Sequence, residues 1–199
     1  NNDAGTDNTV FGFMAGAALA SGAVENTIIG DYAATSLTTG DYNTVIGKNA
    51  LYTEDVGRKT TAVGYGTLYA QNTASEGAVH NTAVGADAGS HNVTGTNNTW
   101  VGSQAGTGAS SNSNSYNTGV GSMSLNSITD GGYNVSIGSR SGEDLTTGDF
   151  NVFIGDYAGH AIVDGDKCIA IGHSALAANV TSAGDGTVAV GYESLVINT

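Results

Sequence analysis

Hydrophobic and polar positions along this chain alternate in short bursts, with no helical period. A five-residue phrase ending in glycine recurs from end to end: NTVFG at 8–12, NTIIG at 26–30, NTVIG at 43–47, TTAVG at 60–64, NTAVG at 81–85, NTWVG at 98–102, NTGVG at 117–121, NVSIG at 134–138, NVFIG at 151–155, CIAIG at 168–172 and TVAVG at 187–191. The anchoring glycines, from Gly12 to Gly191, lie 17 to 21 residues apart. Positions are numbered below by offset from this anchor. Position −1 is always Val, Ile or Phe, and position −3 is Thr, Val or Ile. Side chains two apart share one face of a strand, and β-branched residues suit strands. Each copy is therefore expected to give one short strand whose −3 and −1 residues face a core.

The anchor glycine is read as a bend that no side chain fits. Position +3 is always small (Ala15, Ala33, Ala50, Thr67, Ala88, Ala105, Ser124, Ser141, Ala158, Ala175, Ser194), which predicts close approach of another backbone. Position −7 is Gly in eight copies, among them Gly5, Gly40 and Gly184, within turn phrases such as TTGDYN. Position −4 is Asn in eight copies, from Asn8 to Asn151, and stacked amides can bond to one another or to backbone at a corner. No pattern of period 3.6 outlasts one copy, so no helix is predicted. A copy cannot bury its apolar face alone, whereas stacked copies build a continuous core. The expected fold is all-β: a single β-solenoid (β-roll) domain over residues 1–199, about eleven rungs and roughly 50 Å long.

Position −2 lies on the opposite strand face and is also apolar: Val10, Ile28, Val45, several Ala, Trp100 and Phe153. A lone rod would leave these residues exposed. The expectation is that this second face is buried between subunits.

Composition narrows the function. Lys+Arg is 5 against Asp+Glu 18, a net charge of −13. Such a chain lacks the positive surface that phosphate backbones require, which excludes nucleic-acid binding and attraction to anionic membranes. No apolar run is long enough for membrane insertion as a helix. Cys168 is the single cysteine, so no intrachain disulfide and no cysteine-based metal site arise. It stands in the Asn column, which gives it a structural reading. The chain opens Asn-Asn-Asp without a basic-then-apolar leader and is read as a fragment, or a processed piece, of something longer.

The phrase N-T-[VAI]-[VI]-G, with a small residue three places on, resembles the head repeats of trimeric autotransporter adhesins. It is closer still to the related repeats of bacteriophage tail fibres. The match is clearest in AATSLTTGDYNTVIG (33–47) and SGEDLTTGDFNVFIG (141–155). Adhesin heads have shorter repeats, which leans toward the tail-fibre variant. The resemblance implies a homotrimer of parallel, left-handed β-rolls forming an extracellular stalk or head, on a virion tail fibre or a bacterial cell surface. It implies attachment to a host or surface, with a cell-surface glycan or receptor as partner, and no enzyme activity.

Candidate chemistry is sparse, and no cofactor is expected. His80, His91, His160 and His173 fall in four different columns, and no catalytic or metal motif occurs. Asp149, Asp166 and Asp185 share position −6 on consecutive copies, as does Asp41 earlier. Stacking would set their like charges about 5 Å apart. A calcium ion or splaying into solvent would relieve the repulsion, and solvated turns are the preferred reading. Tyr116, Tyr133 and Phe150 share position −5 and would form an aromatic ladder, able to stack on a sugar chain or to fill an interface. The long intervals 65–84 and 103–120 are candidate binding loops. Two rival functions remain: a polysaccharide-binding or polysaccharide-degrading tailspike segment, and an ice-binding solenoid built on the column Thr9 to Thr118. The second is disfavoured here because those threonines share the face assigned to the core.

Overall fold

The computed structural model describes residues 6–73, 77–109, 112–177 and 185–196. Gly5 and Gly184 of the turn column lie outside them. The protein is all-β. Eleven three-residue strands run in chain order: β1 Thr9–Phe11, β2 Thr27–Ile29, β3 Thr44–Ile46, β4 Thr61–Val63, β5 Thr82–Val84, β6 Thr99–Val101, β7 Thr118–Val120, β8 Val135–Ile137, β9 Val152–Ile154, β10 Ile169–Ile171 and β11 Val188–Val190. They form one parallel sheet in sequence order, each pairing in register with the next copy. This is a β-solenoid whose rungs are the repeats. The longer intervals leave this register intact: Thr61 still faces Thr82, and Thr99 still faces Thr118.

The anchor glycines bend as expected, for a reason the structure makes specific. Their φ values run from +127° to +139°. A Cβ on Gly102 would lie 2.5 Å from the carbonyl oxygen of Gly121 one rung on, and the same contact recurs along the stack. Only glycine fits such a column of touching backbones. Three other corner columns (−5, +2 and +4) have φ near +50° to +60° and mostly carry ordinary side chains, such as Tyr116, Arg140 and Leu125. Backbone bonds between rungs hold these corners: the Tyr42 N–H donates to the Val24 carbonyl and the Leu125 N–H to the Ser141 carbonyl. These bonds offset the strain that a left-handed residue carries.

The two strand faces are reversed relative to the expectation. The −2 residue points into the solenoid. Trp100 and Phe153 are 0% exposed within the single chain, as are Ile28, Val45, Ala62, Ala83 and Ala170. The −3 and −1 residues point outward instead, so the Val/Ile column is surface, not core. The reason is volume. Position −2 shares the interior with position +4, which holds Leu51, Leu68, Leu125 and Leu176 beside Val45, Ala62, Gly119 and Ala170 at −2. Where −2 is Trp100 or Phe153, position +4 is glycine in its own rung and the one before. A Cβ on Gly89 or Gly106 would strike Trp100, and one on Gly142 or Gly159 would strike Phe153. Large and small residues alternate to keep the interior filled. The outward face needs no such matching and carries a uniform β-branched set.

The small +3 column is buried from Ala15 to Ala175, and Ser194 of the last rung is half-buried. The Asn column forms a ladder in two runs, from Asn8 to the Thr60 N–H and from Asn81 to the Cys168 N–H, parted at Thr60, whose hydroxyl has no partner among the described residues. The side-chain oxygen of Asn117 accepts the backbone N–H of Asn134, and that of Asn134 accepts the N–H of Asn151. Each amide nitrogen donates to a carbonyl in the turn of the next rung, as Asn134 does to Gly148. Both halves of the amide are thus spent inside the corner, where unpaired polar groups are costly.

A buried polar patch interrupts the core. Position +7 is Leu19 and Leu37 early, and Ile128, Leu145 and Ile162 late, but Glu54, Gln71 and Asn92 between them. The fully buried Glu54 carboxylate accepts the backbone N–H groups of Asp55, Val56, Gly57 and Thr73, and the Thr73 hydroxyl. Backbone donors from two rungs converge on it and replace water.

Candidate functional site

The outward face of the sheet runs the length of the eleven strands. Two parallel ranks run along it. One is Thr9, Thr27, Thr44, Thr61, Thr82, Thr99 and Thr118, continued by Val135, Val152, Ile169 and Val188. The other is Phe11, Ile29, Ile46, Val63, Val84, Val101, Val120, Ile137, Ile154, Ile171 and Val190. Ile46, Val84, Ile137, Ile154 and Ile171 are each a little over one-third exposed, although methyls crowd them on both sides along the rank. Contiguous exposed apolar surface on this scale is uncommon on proteins that stay alone. This strip carries no charged side chain, in a protein of net charge −13. The expectation of an interface on the −2 face is corrected accordingly: those residues fill the interior, and the exposed apolar face is the other one.

The aromatic column forms as predicted. Tyr133 lies between Tyr116 and Phe150 with ring centroids 4.8 and 5.0 Å apart and planes within 3° and 10°. The three rings are about half exposed. Each sits on a corner residue with φ near +60°, so the rung repeat itself sets the stacking distance. A second ladder was missed in the sequence: Phe13, Tyr32, Tyr52 and Tyr69 succeed one another on rungs 1 to 4. It steps across columns, from +1 to +2 to +5, so reading one column at a time hides it.

The acidic column at Asp149, Asp166 and Asp185 lies on partly exposed turns, and its carboxylates also bond the backbone of the neighbouring rung. Asp149 accepts the backbone N–H of Gly132, Asp166 that of Asp149, and Asp185 that of Asp166, at 2.7 to 2.9 Å. Asp41 accepts the Val24 N–H and pairs with Arg58 at 3.2 Å. Each carboxylate is thus tied to the preceding rung by a charge-assisted hydrogen bond. Each bond stabilises its carboxylate while leaving the charge in place. Among the described residues no cluster of metal-ligating side chains occurs.

The histidines stay apart. His160 meets Glu143 at 3.2 Å, His173 meets Asp156 at 3.4 Å, and His91 bonds the Gly108 carbonyl. Cys168 is buried where an Asn would stand, and its backbone N–H donates to Asn151. Burial pushes its thiol up, opposed by hydrogen bonds from the Thr187 and Gly186 backbone. A protonated thiol is a poor nucleophile.

No family model, curated protein or solved structure matches this chain.

Proposed function

We propose that this chain is a structural and display segment of an extracellular homotrimeric fibre, a phage tail fibre or bacterial surface adhesin, that serves attachment to a host or surface. One observation carries the reading: the uncharged Thr/Val/Ile face running the full length of an in-register parallel sheet. A second copy of the same face supplies the uniform, flat, methyl-rich complement it needs. Three chains around one axis close such contacts into a finite assembly. The repeat resemblance supplies the trimer, the parallel chains and the left-handed coil. The acidic remainder of the surface keeps a long fibre soluble.

The test is to place charge on the outward face. Val84→Lys, Ile137→Lys and Ile154→Lys together leave the interior untouched. The triple variant is expected to keep its β-sheet circular dichroism while its solution mass falls to one chain. Unchanged oligomers in the variant would remove this face from the interface.

The outward exposure of the threonines also favours a second reading, which the sequence had set aside. Thr9 to Thr118 form a rank in register along the outward face, the regular array an ice-binding surface needs. Thermal hysteresis in a monomeric protein would favour it, and its absence would dispose of it.

A further inference from the structure

At one rung the +2 column lacks a side chain, and a cleft lies there. Position +2 carries a side chain in every rung but one: Met14, Tyr32, Asn49, Asp87, Gln104, Met123, Arg140, Tyr157, Ser174 and Glu193 surround the exception, Gly66. The missing side chain opens a cavity of about 300 Å³, lined by Asn49, Tyr65, Tyr69, Asp87 and His91 around Gly66 and Ser90. That volume is at the small end for small-molecule sites.

Its walls are specific. Tyr69 is held by parallel stacking on Tyr52, centroids 5.1 Å apart and planes within 4°. Its column then passes to Ser90, so the aromatic ladder stops and the far face of Tyr69 meets a small polar residue instead of another ring. Asp87 leans into the notch: its Oδ1 lies 2.5 Å from where a Cβ on Gly66 would stand. Nδ1 of His91 approaches the Gly108 carbonyl at 3.0 Å. A carbonyl only accepts, so Nδ1 carries the proton and Nε2 is the ring nitrogen left for a ligand. Asn49 adds an amide that both donates and accepts. Tyr65 and Tyr69 are 56% and 40% exposed.

We infer that this cleft binds a single neutral pyranose unit of a glycan. A fixed aromatic face takes the C–H side of a sugar ring. A carboxylate, an amide and an imidazole at the edge then meet hydroxyls, which donate and accept in several directions. Asp87 and the net charge of −13 turn away sialic acids, uronic acids and sulfated sugars. A purely apolar ligand would leave Asp87 and Asn49 without water or partners. The inference does not rest on the fibre reading, because every wall of the cleft comes from one chain.

The test is a titration of the intact, isotope-labelled chain with methyl glucoside, methyl galactoside, methyl mannoside and N-acetylglucosamine, each separately, followed by backbone amide shifts. At least one sugar is expected to shift amides in 65–69 and 87–91, with affinity about millimolar, as suits one ring in an open site. Gly66→Asn fills the notch in a backbone conformation that Asn49 already adopts one rung earlier. It should weaken binding at least tenfold and leave the fold intact. Tyr69→Ala should do the same, whereas Tyr133→Ala, on the separate ladder, should not. No shifts with any of the four sugars well above the millimolar range would overturn the inference. So would binding that survives Gly66→Asn, or shifts confined to Tyr116, Tyr133 and Phe150. The solution mass of the same sample is measured alongside, so that a monomer that binds sugar and a trimer that does not are told apart.

Discussion

Single residues carry unequal shares of this repeat. Trp100 is the largest side chain in the interior, and its space exists because Gly89 and Gly106 have none. Trp100→Ala should cost about 3–5 kcal/mol in denaturant unfolding. Gly106→Leu should be worse, since it combines a clash with Trp100 and a left-handed φ of +59°. The double change Trp100→Ala with Gly106→Leu recreates the Ala62–Leu68 pairing of the fourth rung and should recover part of the loss. A double variant no more stable than Gly106→Leu would refute the volume argument. Glu54 behaves in the opposite sense to its column. Leucine stands at that position in Leu37, yet Glu54→Leu strips the buried Gly57 and Thr73 N–H groups of their acceptor and should cost about 1–3 kcal/mol for each. Glu54→Gln keeps an oxygen where Oε1 stands and should cost less. For Cys168 the folded state favours the protonated thiol, so unfolding releases protons above the ordinary thiol value, about pH 8.5. Stability should therefore be fully present below that pH and decline above it. Cys168→Ala should flatten the decline.

Strands and corners were unequally legible. The strand positions are plain in the sequence, because the glycine anchor and the β-branched pair recur with each copy. The identity of the buried face was not. Both faces are apolar, and hydrophobicity points to the Val/Ile column, the wrong one. The decisive signal is compensation: Trp100 and Phe153 each stand with glycines at +4, which only a shared interior explains. Glu54, the Tyr52–Tyr69 pair and the Gly66 notch escaped for a related reason. Each is a departure from its column, and column averages erase departures. The Asn ladder was legible because its chemistry is local to one position. Asn134→Ala removes an acceptor from the Asn151 N–H and a donor from the Gly148 carbonyl. It should cost about 1–3 kcal/mol by thermal unfolding. A neutral outcome would mean that the ladder only decorates the corner.

At the scale of the whole molecule, the account turns on what covers the outward face. An interior that takes only the middle residue of each strand leaves positions −3 and −1 outside, and their methyls lie in two ranks. A fibre resolves this by giving every rung the same neighbour from another chain. The interface then grows with length, and no single rung need be sticky. The measurement that tests this most directly is the native mass by light scattering, set against the mass of the denatured chain. The account predicts a ratio of three. A ratio of one at micromolar concentration would contradict it and leave the Thr/Val/Ile face as a surface for something other than its own kind.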